Sequence, residues 1–254
     1  MRFGVCAGPN MLDQAAEAGF DYIELAAAPI AGMEKEVYQE LVRKMAGSPI
    51  KAEAFNIFLP GTMKIIGPEA SLETLEAYLY KALPRLRELG GKVIVFGSGL
   101  TRRIPAEWPP ESARSQFAQA LQICGDAAGK AGMTIALEPL NHKDVDLIIN
   151  AAQGLDLVRE LAHPHVRLLV DTFHMYVESE DYSVLSGMAG WLAHVHIARG
   201  EGRKYPADPS EDRYGEFFDA LQDIGYQGRI SIEASCTDFR TDAPIALQIL
   251  RSTG

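Results

Sequence analysis

The sequence predicts an α/β protein, a single-domain (β/α)₈ (TIM) barrel over residues 1–254, on three observations. Short apolar runs rich in Val, Ile and Leu alternate with longer Ala/Glu/Arg/Leu segments of helical period. Eight such pairs fit into 254 residues almost without remainder. No Gly-x-Gly-x-x-Gly follows any apolar run, which argues against an open doubly wound sheet.

The strands are expected at residues 3–7, 22–26, 50–56, 92–98, 134–139, 166–171, 192–198 and 229–234. Helices are expected at 11–18, 34–46, 71–89, 110–131, 151–161, 182–188, 213–224 and 242–251, several closed by glycine, as at Gly19, Gly90 and Gly225. No low-complexity tract or linker divides the chain. Two Pro-containing loops, 59–68 and 100–110, follow the third and fourth strands, on the face where barrels carry their sites. Phe58, Met63 and Trp108 are expected there as apolar walls or a lid.

Composition narrows the class. With 47% hydrophobic and 23% charged residues, the chain can bury a substantial core. A net charge of -10, with no Lys/Arg cluster longer than a pair, repels phosphate backbones, so nucleic acid is not expected as a partner. No run approaches the roughly 18 apolar residues of a membrane span, and the N-terminus does not read as a signal peptide. Cys6, Cys124 and Cys236 are few, scattered and odd in number, which points to a reducing, cytoplasmic setting.

The stretch Val170-Asp171-Thr172-Phe173-His174-Met175 closes an apolar run with an acid and an imidazole. Alone, Asp-x-x-His is a weak signal that reads more readily as a helix cap or a loop carboxylate than as two ligands of a divalent metal or a proton-transfer pair. Strand parity supplies partners. Side chains alternate between barrel interior and helix layer, and the helix-facing set is apolar. With Ile135 and Leu137, Leu168 and Val170, Val195 and Ile197, and Ile230 and Ile232 facing out, the last four strands each end in an inward polar residue. These are Glu138, Asp171, His196 and Glu233. Three buried carboxylates repel one another and are costly to desolvate, a conflict that a cation resolves. Three oxygens and one nitrogen suit Mn²⁺, Mg²⁺ or Co²⁺ better than Zn²⁺. His194 is expected deeper and hydrogen-bonded. Glu24 and Glu53 are expected to be structural, with no partner apparent.

At these residues the chain resembles the xylose-isomerase-like sugar isomerases and epimerases, most closely the ketose 3-epimerases of the tagatose/psicose type. The matching segments are Leu137-Glu138-Pro139-Leu140-Asn141, Asp171-Thr172-Phe173-His174-Met175, His194-Val195-His196 and Ser231-Ile232-Glu233. The resemblance implies that Glu138, Asp171, His196 and Glu233 bind one divalent metal, Mn²⁺ first among candidates. It implies that Glu138 and Glu233 double as acid and base, epimerising a ketose at C3 through an enediolate. It also implies that His174 and Arg203 hold substrate oxygens. Asp144 stands where those enzymes carry a glutamate that contacts the terminal hydroxyl. Homo-oligomers are common in such a family, and no interface signal in the sequence selects a subunit number.

Other readings share the barrel. The same parts run 1,2 aldose-ketose isomerisation if the substrate slides by one carbon. Hydroxypyruvate isomerases are similar but show His-Val-Gln at His194-Val195-His196, and inosose dehydratases follow proton abstraction with loss of hydroxide. Zinc-type apurinic-site endonucleases carry Asp-Arg-His where this chain has Asp212-Arg213-Tyr214, and their three zincs need histidines in a first half that here has none. A catalytically silent sugar-binding barrel would keep four ligands idle.

Overall fold

A computed structural model describes residues 1–254. Eight parallel strands close into one barrel in chain order: β1 Arg2–Cys6, β2 Tyr22–Ala26, β3 Ala52–Asn56, β4 Val93–Phe96, β5 Thr134–Leu137, β6 Val166–Asp171, β7 Leu192–Ile197 and β8 Arg229–Ile232. Each expected strand is present; β2 and β6 coincide with the expected ranges and the other six differ at their ends by a residue or two. The helices are α1 Leu12–Glu17, α2 Ala27–Gly32, α3 Lys35–Gly47, α4 Leu72–Glu88, α5 Pro110–Lys130, α6 Ala151–Leu161, α7 Thr172–Val177, α8 Tyr214–Asp223 and α9 Phe239–Thr253. None is long and apolar enough to cross a membrane.

Three differences from the sequence reading stand out, and the last two have physical causes in the structure. The segment 182–188 is a 3₁₀ helix rather than an α-helix. The short α2 and α7 were not anticipated. The first contains Pro29, tolerated in an opening turn where backbone N–H groups have no partner within the helix; the second is rich in β-branched and aromatic residues and depends on a cap from Asp171. α9 begins three residues before the expected start, because Phe239 is buried against Tyr205 and the Asp242 carboxylate accepts the N–H groups of Thr237 and Asp238.

Parity holds throughout the second half of the barrel. Ile135, Leu137, Leu168, Val170, Val195, Ile197, Ile230 and Ile232 all belong to the large core between strands and helices. A separate small cluster, Tyr22, Ala54, Val93, Val95, Ala136 and Leu169, fills the barrel interior. Above it the interior turns polar, with Glu24, His194, His196 and Ser231 fully buried. At the N-terminal end, Glu53 ties Arg2 and Arg229 together at 2.7 and 2.6 Å. Glu53 is therefore structural, as expected, but it does have partners.

Gly4 makes room for this interior. A Cβ at that position would lie 2.3 Å from two ring atoms of Tyr22, which is itself completely buried. Gly4→Val should therefore destabilise the protein by about 1–3 kcal/mol through overpacking. Urea unfolding of the two proteins measures this difference directly, and an unchanged midpoint would contradict the packing of Tyr22 against Gly4.

Candidate functional site

Glu138 follows β5, Asp171 closes β6, His196 lies near the end of β7 and Glu233 follows β8. The ladder sets Asp171 opposite His196 and His196 opposite Ser231, so these side chains leave the barrel at one level. One ligand-type atom from each of the four lies within 4.8 Å of the others. Glu138, Glu233, His174, Asp144 and Arg203 line a cavity of about 390 Å³ at this end of the barrel. A larger groove, about 760 Å³, lies on the outer faces of α4 and α5, away from these groups.

His196 is central. Its Nδ1 faces Glu138 Oε1 at 3.1 Å and Glu233 Oε2 at 3.2 Å, while its Nε2 faces Glu24 Oε1 at 2.9 Å. Burial alone would lower the pKa of this imidazole, but Glu233 and Glu24 carry it well above the ordinary histidine value. Burial would raise the pKa of Glu233; His196 and Arg203 outweigh it and bring the carboxyl down to about 2. Burial also raises Asp171, against the opposing pull of Arg203.

Asp171 has two tasks. Its Oδ1 accepts the Phe173 N–H at 2.8 Å and caps α7, while its Oδ2 accepts Arg203 Nη2 at 2.9 Å in the site. The helix-cap and site readings of this aspartate are both met by one carboxylate. The short helix it starts then carries His174 back into the cavity.

The amide of Asn141 orients His174. Its oxygen accepts the Lys143 N–H at 3.0 Å, which leaves Nδ2 to donate to His174 Nδ1 at 2.8 Å and to Asp144 Oδ2 at 2.6 Å. His174 therefore carries its proton on Nε2, 3.6 Å from Asp171 Oδ2. Burial holds its pKa below the ordinary value, so the ring is a neutral donor.

Arg203 reaches the site from the loop after β7. Gly202 (φ 76°) and Arg203 (φ 47°) are both left-handed, and this double turn folds the chain back over the mouth, where Ser235 N donates to Arg203 O at 2.9 Å. Its guanidinium bonds Asp171 and Glu233 and stacks 4.8 Å from the Phe173 ring. All seven sequence-selected residues thus meet in one place.

Several side chains were missed or misplaced. Glu24 is not partnerless: it takes bonds from His194, His196 and Ser231. The same parity rule reveals it, since Ile23 and Leu25 face the helices and leave Tyr22 and Glu24 inward. His194 is fully buried against Glu24, deeper than His196, as expected. Asn56, which donates to Glu233 Oε1 at 2.7 Å, carried no signal beyond its strand-end position. Phe58 and Met63 are not walls of the cavity; both are buried in the core, and Trp108 packs on it with its indole N–H on Gln116. The apolar rim is instead Ile57 and Leu100, 56% and 73% exposed.

The donor set fits a divalent cation. Three carboxylates supply hard oxygen ligands, and the His196 Nδ1 that faces two of them needs either a proton or a metal cation between itself and those acceptors.

A family model described as a xylose isomerase-like TIM barrel matches residues 12–253. An L-ribulose 3-epimerase of Mesorhizobium japonicum is 28% identical over 220 residues, covering 86% of this chain and 72% of that one. A D-psicose 3-epimerase of Ruminiclostridium cellulolyticum is 25% identical over 228 residues, covering 87% and 76%. A crystal structure of a D-psicose 3-epimerase determined in the presence of D-fructose matches the fold with a TM-score of 0.88 at 20% identity, over 100% of this chain and 99% of that one. Both the barrel and the family resemblance expected from the motifs are borne out.

Gly97, just beyond β4, lets Glu138 approach the centre. A Cβ there would lie 2.2 Å from Glu138 Oε2. Gly97→Ala should displace this carboxylate and, if Glu138 is one of the residues that hold a divalent cation, weaken binding of Mn²⁺ used as the probe by about 10-fold or more, a loss of the size seen when groups that orient metal ligands are removed. Titration followed by the manganese EPR signal measures it; wild-type affinity in the variant would show that Glu138 is not a ligand.

Proposed function

The chain belongs to the xylose isomerase-like TIM barrel family, and we propose that it is a divalent-metal-dependent ketose 3-epimerase. The observation that carries this reading is the convergence of Glu138, Asp171, His196 and Glu233 within 4.8 Å of one another at the cavity. The named activities of the relatives, ketose 3-epimerisation in L-ribulose and D-psicose enzymes, support it.

In this reading the four residues hold the cation, with Mn²⁺ preferred and Mg²⁺ or Co²⁺ acceptable. A bound divalent ion supplies positive charge that polarises the ketose carbonyl. Glu138 and Glu233 reach the centre from the non-adjacent β5 and β8. One takes the C3 proton as base, the C–H electron pair forms the C2–C3 double bond while the carbonyl π pair moves onto O2 to give the enediolate, and the other, in its protonated form, gives its proton to the opposite face of C3 as the carbonyl re-forms. Arg203 and Asn56, bonded to Glu233, fix its carboxylate. His174 offers its Nε2 proton to a sugar oxygen, Arg203 donates to another, and Asp144 accepts from the far hydroxyl. The three cysteines are free thiols, which supports a reducing, cytoplasmic setting. The substrate is a small sugar, and homo-oligomerisation is carried over from the family alone.

Incubating manganese-loaded protein with a panel of ketoses in D₂O and locating deuterium by NMR tests the reaction. Label at C3 is the expected result, label at C1 or C2 would assign a 1,2 isomerase instead, and no label in any sugar would exclude both. Glu233→Gln should lower turnover by about 10²–10⁴-fold, the usual contribution of a positioned acid or base, with the melting temperature held. Undiminished turnover would rule out the two-carboxylate mechanism.

A further inference from the structure

Below the proposed metal ligands lies a buried hydrogen-bond network that the reaction does not touch. Glu24, completely buried in the middle of β2, accepts His196 Nε2 on Oε1 at 2.9 Å. Its Oε2 accepts His194 Nε2 at 2.7 Å and the Ser231 hydroxyl at 2.5 Å. Tyr22 completes the chain by donating its hydroxyl to Ser231 Oγ at 2.8 Å. A carboxylate taken wholly out of water costs several kcal/mol unless its oxygens are hydrogen-bonded, and here they are, by two imidazoles and a hydroxyl.

The protonation pattern of this network is readable. His194 Nδ1 is buried and has no partner. An orphaned N–H there would be the costlier form, so the ring carries its proton on Nε2, facing Glu24. Glu24 is an acceptor only, so His196 also presents Nε2–H to it. The consequence lies at the opposite edge of the His196 ring, where Nδ1 is aimed between Glu138 and Glu233 and its lone pair is the one left for a cation that takes the place of a proton there.

We propose that Glu24 is the positioning residue of the metal centre, holding His196 in the tautomer and orientation that make its Nδ1 a ligand. This rests on the reading of Glu138, Asp171, His196 and Glu233 as metal ligands. Cys6, Glu24 and His196 also lie within ligand distance of one another, but the oxygens of Glu24 and the Nε2 of His196 are already spent on hydrogen bonds. That trio is support for the first site rather than a second one.

The first readout of the test uses Mn²⁺ alone, with no sugar, in the 254-residue chain. Glu24→Gln keeps the size of the side chain and removes its charge; Glu24→Ala removes both. Each should weaken Mn²⁺ binding, Gln by about 10-fold and Ala by up to about 100-fold, the range for removing such partners of a ligating histidine. At saturating Mn²⁺ the KM of Glu24→Gln for a turned-over ketose should match wild type, because Glu24 touches no substrate. A lowered melting temperature with wild-type Mn²⁺ affinity in the folded variant would mean that Glu24 merely fills the barrel, and would overturn the proposal. Should neither variant fold, ring ¹⁵N spectra of the Mg²⁺-loaded wild type decide the matter. His196 protonated on Nε2 alone is expected, and a proton on Nδ1 would overturn it. Failure of the wild type to bind either ion would instead remove the metal reading itself, a result separable from a failure of Glu24.

Discussion

Four carboxylates, Glu24, Glu138, Asp171 and Glu233, surround one imidazole at the C-terminal end of the barrel, and all but Glu233, whose side chain is 21% exposed, are buried. So much negative charge in a place poor in water is tolerable only with compensating positive charge and hydrogen bonds. His196 and Arg203 supply the first; Asn56, Ser231, His194 and the capped helix at Asp171 supply the second. The arrangement is also what a divalent cation requires, since oxygens that repel one another become complementary ligands once a metal stands between them.

The barrel satisfies this constraint by separating apolar packing from polar contacts on the two faces of its strands. Strand alternation sends apolar side chains to the helix layer and reserves the interior for a short apolar plug with the polar network above it. Glycine appears where backbone must yield space, Gly4 to the Tyr22 ring and Gly97 to the Glu138 carboxylate. Asp171 both starts α7 and faces the centre, so forming that helix and placing His174 are one event. Asn141 then sets the His174 proton toward the cavity.

Much of this was legible in the sequence, for a definite reason. Periods of 2 and 3.6 residues are local, so eight strand-helix pairs could be counted without coordinates, and parity picked out Glu138, Asp171, His196 and Glu233 from the four strands where it was applied. The miss at Glu24 was incomplete use of that rule. Phe58, Met63 and Trp108 failed differently, because an aromatic or Met in a loop gives no sign of whether it packs inward or lines a cavity, and only the path of the loop decides. The short α2 and α7 lie below the length at which helical propensity gives a signal.

By itself, the sequence determined the fold class, the family and which residues end the strands on the interior side, since all three follow from alternation and short motifs along the chain. Only the tertiary structure decided the partnerships: Glu24 with His194 and His196, Asn141 with His174, Arg203 with Asp171 and Glu233. Those bonds join residues from 30 to 172 positions apart. They depend on barrel closure and register, and a hydrogen bond of 2.7–3.2 Å tolerates no error that a local pattern could leave in either.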